Sequence, residues 1–140
     1  MSRSCADLPP DVKALFPKEN LEFAAGITCD EAAVLKDVFS DHDCFEQVGE
    51  MIDAVKAKDA TLGAKMQGVL EKNCSRLQGL SPAAVEHSKK VIEYVTHVQC
   101  GLTLGKDFCP KKAEQLKKEF EALPENDREA LKKNNPDMTF

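Results

Sequence analysis

The sequence predicts an all-α protein, a single irregular domain of about seven or eight helices. From Thr28 to Leu123 one capped amphipathic segment follows another, with no strand-like alternation and no catalytic motif between them. The segment after Ser81 is the most informative. At roughly 100° per residue its apolar positions Ala84, Val85, Val91, Ile92, Tyr94, Val95, Val98 and Leu102 cover about half the helix circumference. A helix packed on one neighbour needs a narrower stripe, so this one is either wrapped by several helices or lines an apolar hole. Connections are short and no longer period repeats, which excludes a solenoid and a second domain. Residues 1–140 therefore form one domain, with 1–7 and 134–140 expected to be flexible.

Each element has a local reason. Pro9 and Pro10 are tolerated in a first turn, so Leu8-Pro9-Pro10-Asp11-Val12 opens a short helix whose apolar side is Val12, Leu15 and Phe16, and Pro17 ends it. A second short helix carries Leu21, Phe23 and Ala24 and is expected to stop at a left-handed Gly26. Thr28-Cys29-Asp30-Glu31 forms a capping box for a helix that buries Val34, Leu35, Val38 and Phe39. Asp41 or Asp43 caps the next, where Phe45, Val48, Met51, Ile52 and Val55 share a face as far as Lys58. Asp59 or Thr61 starts a longer helix with Leu62, Met66, Val69, Leu70 and Leu77, closed by Gly79. Ser81-Pro82 starts the broad-faced helix, with Gly101 as its expected end and a loop over 101–108. Pro110 opens a helix with Ala113, Leu116, Phe120 and Leu123, terminated at Pro124. Asn126-Asp127-Arg128-Glu129 reads as a second capping box for a last short helix through Lys132.

Composition excludes several functions. The 140 residues carry 24 acidic against 19 basic side chains, a formal charge of -5, and the basic residues are interspersed with acidic ones, so nucleic acid is not an expected partner. Trp is absent and aromatics are 6%, which removes stacking platforms for single strands. No apolar run approaches the ~18 residues of a membrane span, leaving transient surface contact as the only expected membrane interaction. Met1 to Pro10 lack the apolar centre of a secretory signal, so the chain as written is expected to be cytoplasmic; the alternative is a secreted form whose signal was removed. The six cysteines bear on this choice. Cys44, Cys74 and Cys109 fall within or beside apolar arcs, where a free thiol behaves as a small hydrophobe, and reduced thiols are the expectation. Asn73-Cys74-Ser75 matches a glycosylation acceptor, but Asn73 sits in mid-arc, where a glycan would disrupt packing.

No constellation carries chemistry. Asp41-His42-Asp43 begins like a calcium loop, yet Glu46 stands where a glycine is required and Ile52 where the closing glutamate belongs. His97, Cys100 and Cys109 make at most a partial zinc set, and no metal or cofactor is expected. No glycine-rich turn accompanies any cysteine, so no catalytic residue and no enzymatic activity are expected. His87 reads as a buried or half-buried neutral histidine. More informative are the polar residues inside or beside the apolar arcs, namely Asn73, Arg76, Ser88, Lys89 and Gln99. They either satisfy one another and the backbone or hold the polar end of a bound amphiphile.

The ordered series Leu8-Pro9-Pro10-Asp11-Val12-Lys13-Ala14-Leu15-Phe16-Pro17, Leu21-Glu22-Phe23 and Thr28-Cys29-Asp30-Glu31 with Leu35-Lys36 resembles the opening of the nematode fatty acid and retinol-binding proteins. Lys117-Lys118-Glu119-Phe120-Glu121-Ala122-Leu123, Asn126 and Glu129-Ala130-Leu131-Lys132 are similar to the close of that family, and the resemblance covers most of residues 8–136. It implies a small helical fold enclosing an apolar ligand cavity, which would account for the half-circumference arc. It also places Thr28 and Glu31 at the family's proposed kinase site, so Thr28 is a candidate for phosphorylation as well as a cap. The chain departs from the family in having six cysteines and no signal, where the family is usually exported and poor in cysteine.

The expected function is a monomeric, non-enzymatic carrier of long-chain fatty acids, with retinol as a second candidate ligand. The rival is a helical interaction module whose broad apolar face meets a partner protein. The expected wall is Phe39, Val48, Met51, Ile52, Val55, Met66, Val69, Leu70, Val91, Ile92, Val95, Leu116 and Phe120, and the polar anchor candidates are Asn73, Arg76, Ser88, Lys89 and Gln99. Sequence alone does not separate wall from ordinary core. Burying sixteen methylenes at ~0.8 kcal/mol each gives roughly 13 kcal/mol, and immobilisation removes at least ~4, so a dissociation constant of about a micromolar or somewhat below is expected.

Overall fold

The computed structural model describes residues 9–42, 48–104 and 110–138, with side chains described over 9–40, 49–101 and 111–138. Among these residues there are eight helices and no strand: α1 (Pro10–Lys13), α2 (Lys18–Gly26), α3 (Cys29–His42), α4 (Val48–Lys58), α5 (Ala60–Ser75), α6 (Pro82–Leu104), α7 (Pro110–Glu121) and α8 (Glu125–Asn134).

The expected caps at α3, α5 and α6 are formed. The Thr28 amide donates to Glu31 Oε1 (3.1 Å) and the Glu31 amide donates to Thr28 Oγ1 (3.1 Å), which closes the capping box of α3. Asp59 Oδ1 accepts from the Leu62 amide (3.1 Å), so of the two caps considered for α5 it is Asp59 that acts. Ser81 Oγ accepts from the Ala84 amide (3.2 Å) at the start of α6. Removing the Thr28 hydroxyl by Thr28→Ala is expected to cost about 1 kcal/mol in urea unfolding, with Thr28→Ser retaining most of it; an unchanged midpoint would contradict the capping role.

Several helix ends differ from the sequence reading. Helix α8 begins one residue after Pro124, whose φ of -55° and ψ of 149° make it the N-cap, so Asn126 lies inside the helix. Asp127 is thereby freed to accept from Ser81 Oγ (2.7 Å), tying the first turn of α8 to that of α6. Helix α6 continues past Gly101 to Leu104, because Gly101 is buried and packing overrides a propensity cost of about 1 kcal/mol. Gly26 ends α2 as a helical residue followed by an extended Ile27, and the left-handed glycine among those described is Gly79 at φ 76°, the last residue of the turn that follows α5. The tail also differs. Asn134 Nδ2 donates to the carbonyls of Arg76 and Gln78 (both 2.9 Å), and Asn135 is buried, so residues 134–138 are packed where a frayed end was expected.

Helix α6 is the spine. Its Val91, Tyr94, Val95 and Val98 pack with Val12, Leu15 and Phe16 near α1 and with Ala113 and Leu116 of α7. Its Ala84 meets Phe120 and Leu131 beside α8. Its Cys100 joins Leu35, Val38 and Phe39 of α3, Met51, Ile52 and Val55 of α4, and Leu62 and Met66 of α5. The half-circumference arc is therefore filled chiefly by helices of the same chain, the first of the two explanations its breadth allowed. Helices α4 and α5 cross closely at Gly63, where an added Cβ would lie 2.9 Å from the Lys56 Cα. Only the absence of a side chain permits that approach.

Candidate ligand-binding site

A small, partly open cavity lies where α2, α4, α5 and α6 converge. Residues 66, 69, 70 and 73 recur at helical spacing, so Met66, Val69, Leu70 and Asn73 present one face of α5 to it. Met51 and Ile52 of α4 and Phe23 of α2 complete the apolar lining, while Asn20, Thr96 and Gln99 close the polar side. Its volume is about 40 Å³, room for a few small groups, whereas ligand sites ordinarily run from ~300 Å³ upward. A long alkyl chain enters only if the surrounding side chains give way. Met51 and Met66 suit that, being unbranched and free to change rotamer at small cost. Outside the cavity, a groove of about 330 Å³ runs between α2 and α5, and Phe23 and Val69 belong to both.

The polar side of the cavity is the inner end of a charged network. Arg76 Nε and Nη2 donate to the two oxygens of Glu19 (2.9 and 2.7 Å), and Nη1 donates to Asp137 Oδ1 (2.7 Å) and Asn135 Oδ1 (3.1 Å). Asn73 Nδ2 donates to Glu19 Oε1 (2.7 Å) and Asn20 Oδ1 (2.9 Å), and Asn20 Nδ2 donates in turn to Gln99 Oε1 (3.2 Å). Burial pushes the Glu19 carboxyl up, but hydrogen bonds from Arg76 and Asn73 outweigh it and hold the group below its ordinary value. Arg76 loses by burial too, and the two carboxylates more than restore its charge. Every one of these groups already has a partner.

That geometry sorts the expected residues. Met51, Ile52, Met66, Val69 and Leu70 line the cavity, with Asn73 and Gln99 on its polar side. Phe39 and Val55 lie behind it in the same apolar cluster. Val91, Val95 and Leu116 are placed instead in the cluster around α1, and Phe120 in the one around α8, because the faces of α6 that carry Val91 and Val95 turn towards α1 and α7. Ile92 is half-buried, and the Val48 side chain lies outside the described residues. Arg76 is committed to Glu19 and Asp137, Lys89 is exposed, and Ser88 is buried on α6 outside the cavity lining. Asn20, Phe23 and Thr96 were not anticipated. The signal for Asn20 and Phe23 was the short second helix, whose polar and apolar residues three apart share a face.

Other groups resolve as follows. His87 is buried against the Phe120 ring (centroids 5.9 Å apart), and burial holds its imidazole below the ordinary histidine value. Lys132 Nζ lies over the same ring, 6.0 Å from its centroid. Among the described residues no group of three or more His, Cys, Asp or Glu could hold a metal ion; the acidic side chains of residues 41 and 43 lie outside them. The expectation of six thiols is corrected, since Cys100 is disulfide-bonded. Cys74, expected in an apolar arc, is an exposed free thiol, as is Cys29. Cys44 and Cys109, the other two cysteines assigned to apolar arcs, lie outside the described residues. Among the described residues no helix is long and apolar enough to cross a membrane.

Fold and site together define an all-α protein with a small apolar interior and a polar, internally satisfied lining. The chain matches the nematode fatty acid retinoid binding protein family (Gp-FAR-1) over residues 11–139 and belongs to it. It is 24% identical over 137 residues to fatty-acid and retinol-binding protein 1 of Caenorhabditis elegans, covering 95% of this chain and 75% of that one. The structure of the lipid binding protein Ce-FAR-7 from C. elegans is similar throughout, with a TM-score of 0.91, 49% identity and full coverage of both chains. Na-FAR-1 from Necator americanus, a fatty acid and retinol binding protein, shares the fold with a TM-score of 0.79 at 24% identity, over 99% of this chain and 90% of that one. These relatives are binding proteins.

Proposed function

We propose that this protein is a carrier of long-chain fatty acids, with retinol as a second ligand, and that the alkyl chain lodges among Phe23, Met51, Ile52, Met66, Val69 and Leu70. The observation that carries the proposal is that Phe23 and Val69 line both that apolar pocket and an open groove beside it. Lipid binding in the named relatives supports it. No residue of the site is set up for bond-breaking chemistry, so the protein holds its cargo unchanged. Against the rival reading, a broad apolar face offered to a partner protein, Ala84, Val91, Tyr94, Val95 and Val98 of the α6 arc pack on other helices of this chain.

An environment-sensitive fluorescent fatty acid tests the proposal. Its emission is expected to brighten and shift to the blue on mixing, and oleate is expected to reverse the change. With no Trp in the chain, the signal is free of tryptophan overlap. A probe spectrum that stays as in water at saturating protein would overturn the carrier reading.

A further inference from the structure

The groove between α2 and α5 holds charges that are nearly all spoken for. Glu19 is bound by Arg76, Glu22 lies 3.7 Å from Lys18 Nζ, and Glu31 accepts from Lys65 Nζ at 2.8 Å. The second cation of the lining is Lys72, whose carbonyl accepts from Ser75 Oγ (2.7 Å) and whose ammonium has no ion pair or hydrogen-bonding partner among the described residues. It is exposed and sits three residues after Val69, hence on the same face of α5. Phe23 and Val69, both half-buried, line both the groove and the cavity.

We propose that this groove is the mouth of the lipid site, that Phe23 and Val69 are its door, and that Lys72 holds the carboxylate of a fatty acid whose tail passes inward between them. This rests on the carrier reading above. A carboxylate cannot follow the tail inward, because Asn20, Asn73 and Gln99 on the polar side already satisfy one another. At the mouth it stays partly hydrated and meets an unpaired ammonium one helical turn from the door. Lys65 is the poorer partner, because taking it would strip Glu31 of its ion pair. Neither Arg76 nor Lys89 serves: the first is already saturated by carboxylates, and the second lies outside both groove and cavity.

The test compares oleate with oleyl alcohol, which has the same chain and no charge, in the wild type, Lys72→Glu, Lys72→Gln and the distant surface control Lys112→Glu. Thermal melts confirm that each variant is folded. Lys72→Glu is expected to weaken oleate about tenfold or more, Lys72→Gln by less in the same direction, and oleyl alcohol is expected to stay within about twofold throughout. Lys112→Glu should change neither. Oleate binding by the wild type with no loss in Lys72→Glu, or equal losses for both ligands, would overturn the mouth while leaving the carrier reading intact. Failure of the wild type to bind oleate at all would overturn both.

Discussion

Arg76→Ala is expected to cost about 3 kcal/mol of stability, because it strands a carboxylate that the fold has buried. Glu19 is 7% exposed and receives two of its hydrogen bonds from the guanidinium; Arg76 itself is 16% exposed, so the expected cost lies at the lower end for a broken buried pair. The loss should spread, since Glu19 fixes Asn73 beside the cavity and Asp137 ties the tail and the Lys18 amide to the same cation. The sign of the pH dependence follows. Arg76 holds the Asp137 carboxyl below its ordinary value against burial, and for Glu19 burial is outweighed by Arg76 and Asn73. Unfolded, both groups bind protons at a higher pH than when folded, so their contribution is complete above the ordinary carboxylate range and is lost as pH falls through the depressed values, below about pH 4. His87 adds a loss of the same sign at higher pH: buried and held neutral, it opposes folding once the unfolded imidazole protonates, below about pH 6.5. Urea unfolding at neutral and acid pH should show Arg76→Ala both less stable and flatter in the acid range. A change within about 0.5 kcal/mol and an unaltered acid slope would contradict the network.

Ile52→Ala and Leu116→Ala should each cost about 2–5 kcal/mol in the ligand-free protein, yet differ once oleate is added. Both side chains are almost fully buried, Ile52 at 1% and Leu116 at 2% exposure. Ile52 lines the cavity, so an alkyl chain entering it supplies some of the contacts that truncation removed. Leu116 packs in the cluster of Val12, Phe16 and Val95, outside the proposed ligand site. Saturating oleate is therefore expected to restore much of the melting temperature lost by Ile52→Ala beyond what it adds to the wild type, and none of that lost by Leu116→Ala. Equal responses would mean that the two positions are the same kind of core.

That comparison targets what periodicity cannot reach. The capping hydroxyls and carboxylates of Thr28, Asp59 and Ser81 act within three residues of themselves, and for that reason they were legible. Burial was also legible for Ile52, Val95 and Leu116, but a hydrophobic stripe records only that a face is covered, not by what. Val91 and Val95 therefore looked like wall and prove to be the seam between α6 and the α1–α7 cluster. Arg76 looked like an anchor because its partners, Glu19 and Asp137, lie 57 and 61 residues away. Pro124 misled in another way. As a residue without an N–H it reads as a terminator for α7, and it is equally the N-cap of α8.

The most direct measurement of the central claim is a set of intermolecular NOEs between unlabelled oleate and uniformly labelled protein. Oleate chain protons are expected to show NOEs to the methyl groups of Ile52 and Met66, which lie on opposite helices of the cavity, α4 and α5. NOEs confined to exposed residues, or to Leu116 and Leu131 in the other clusters, would contradict it.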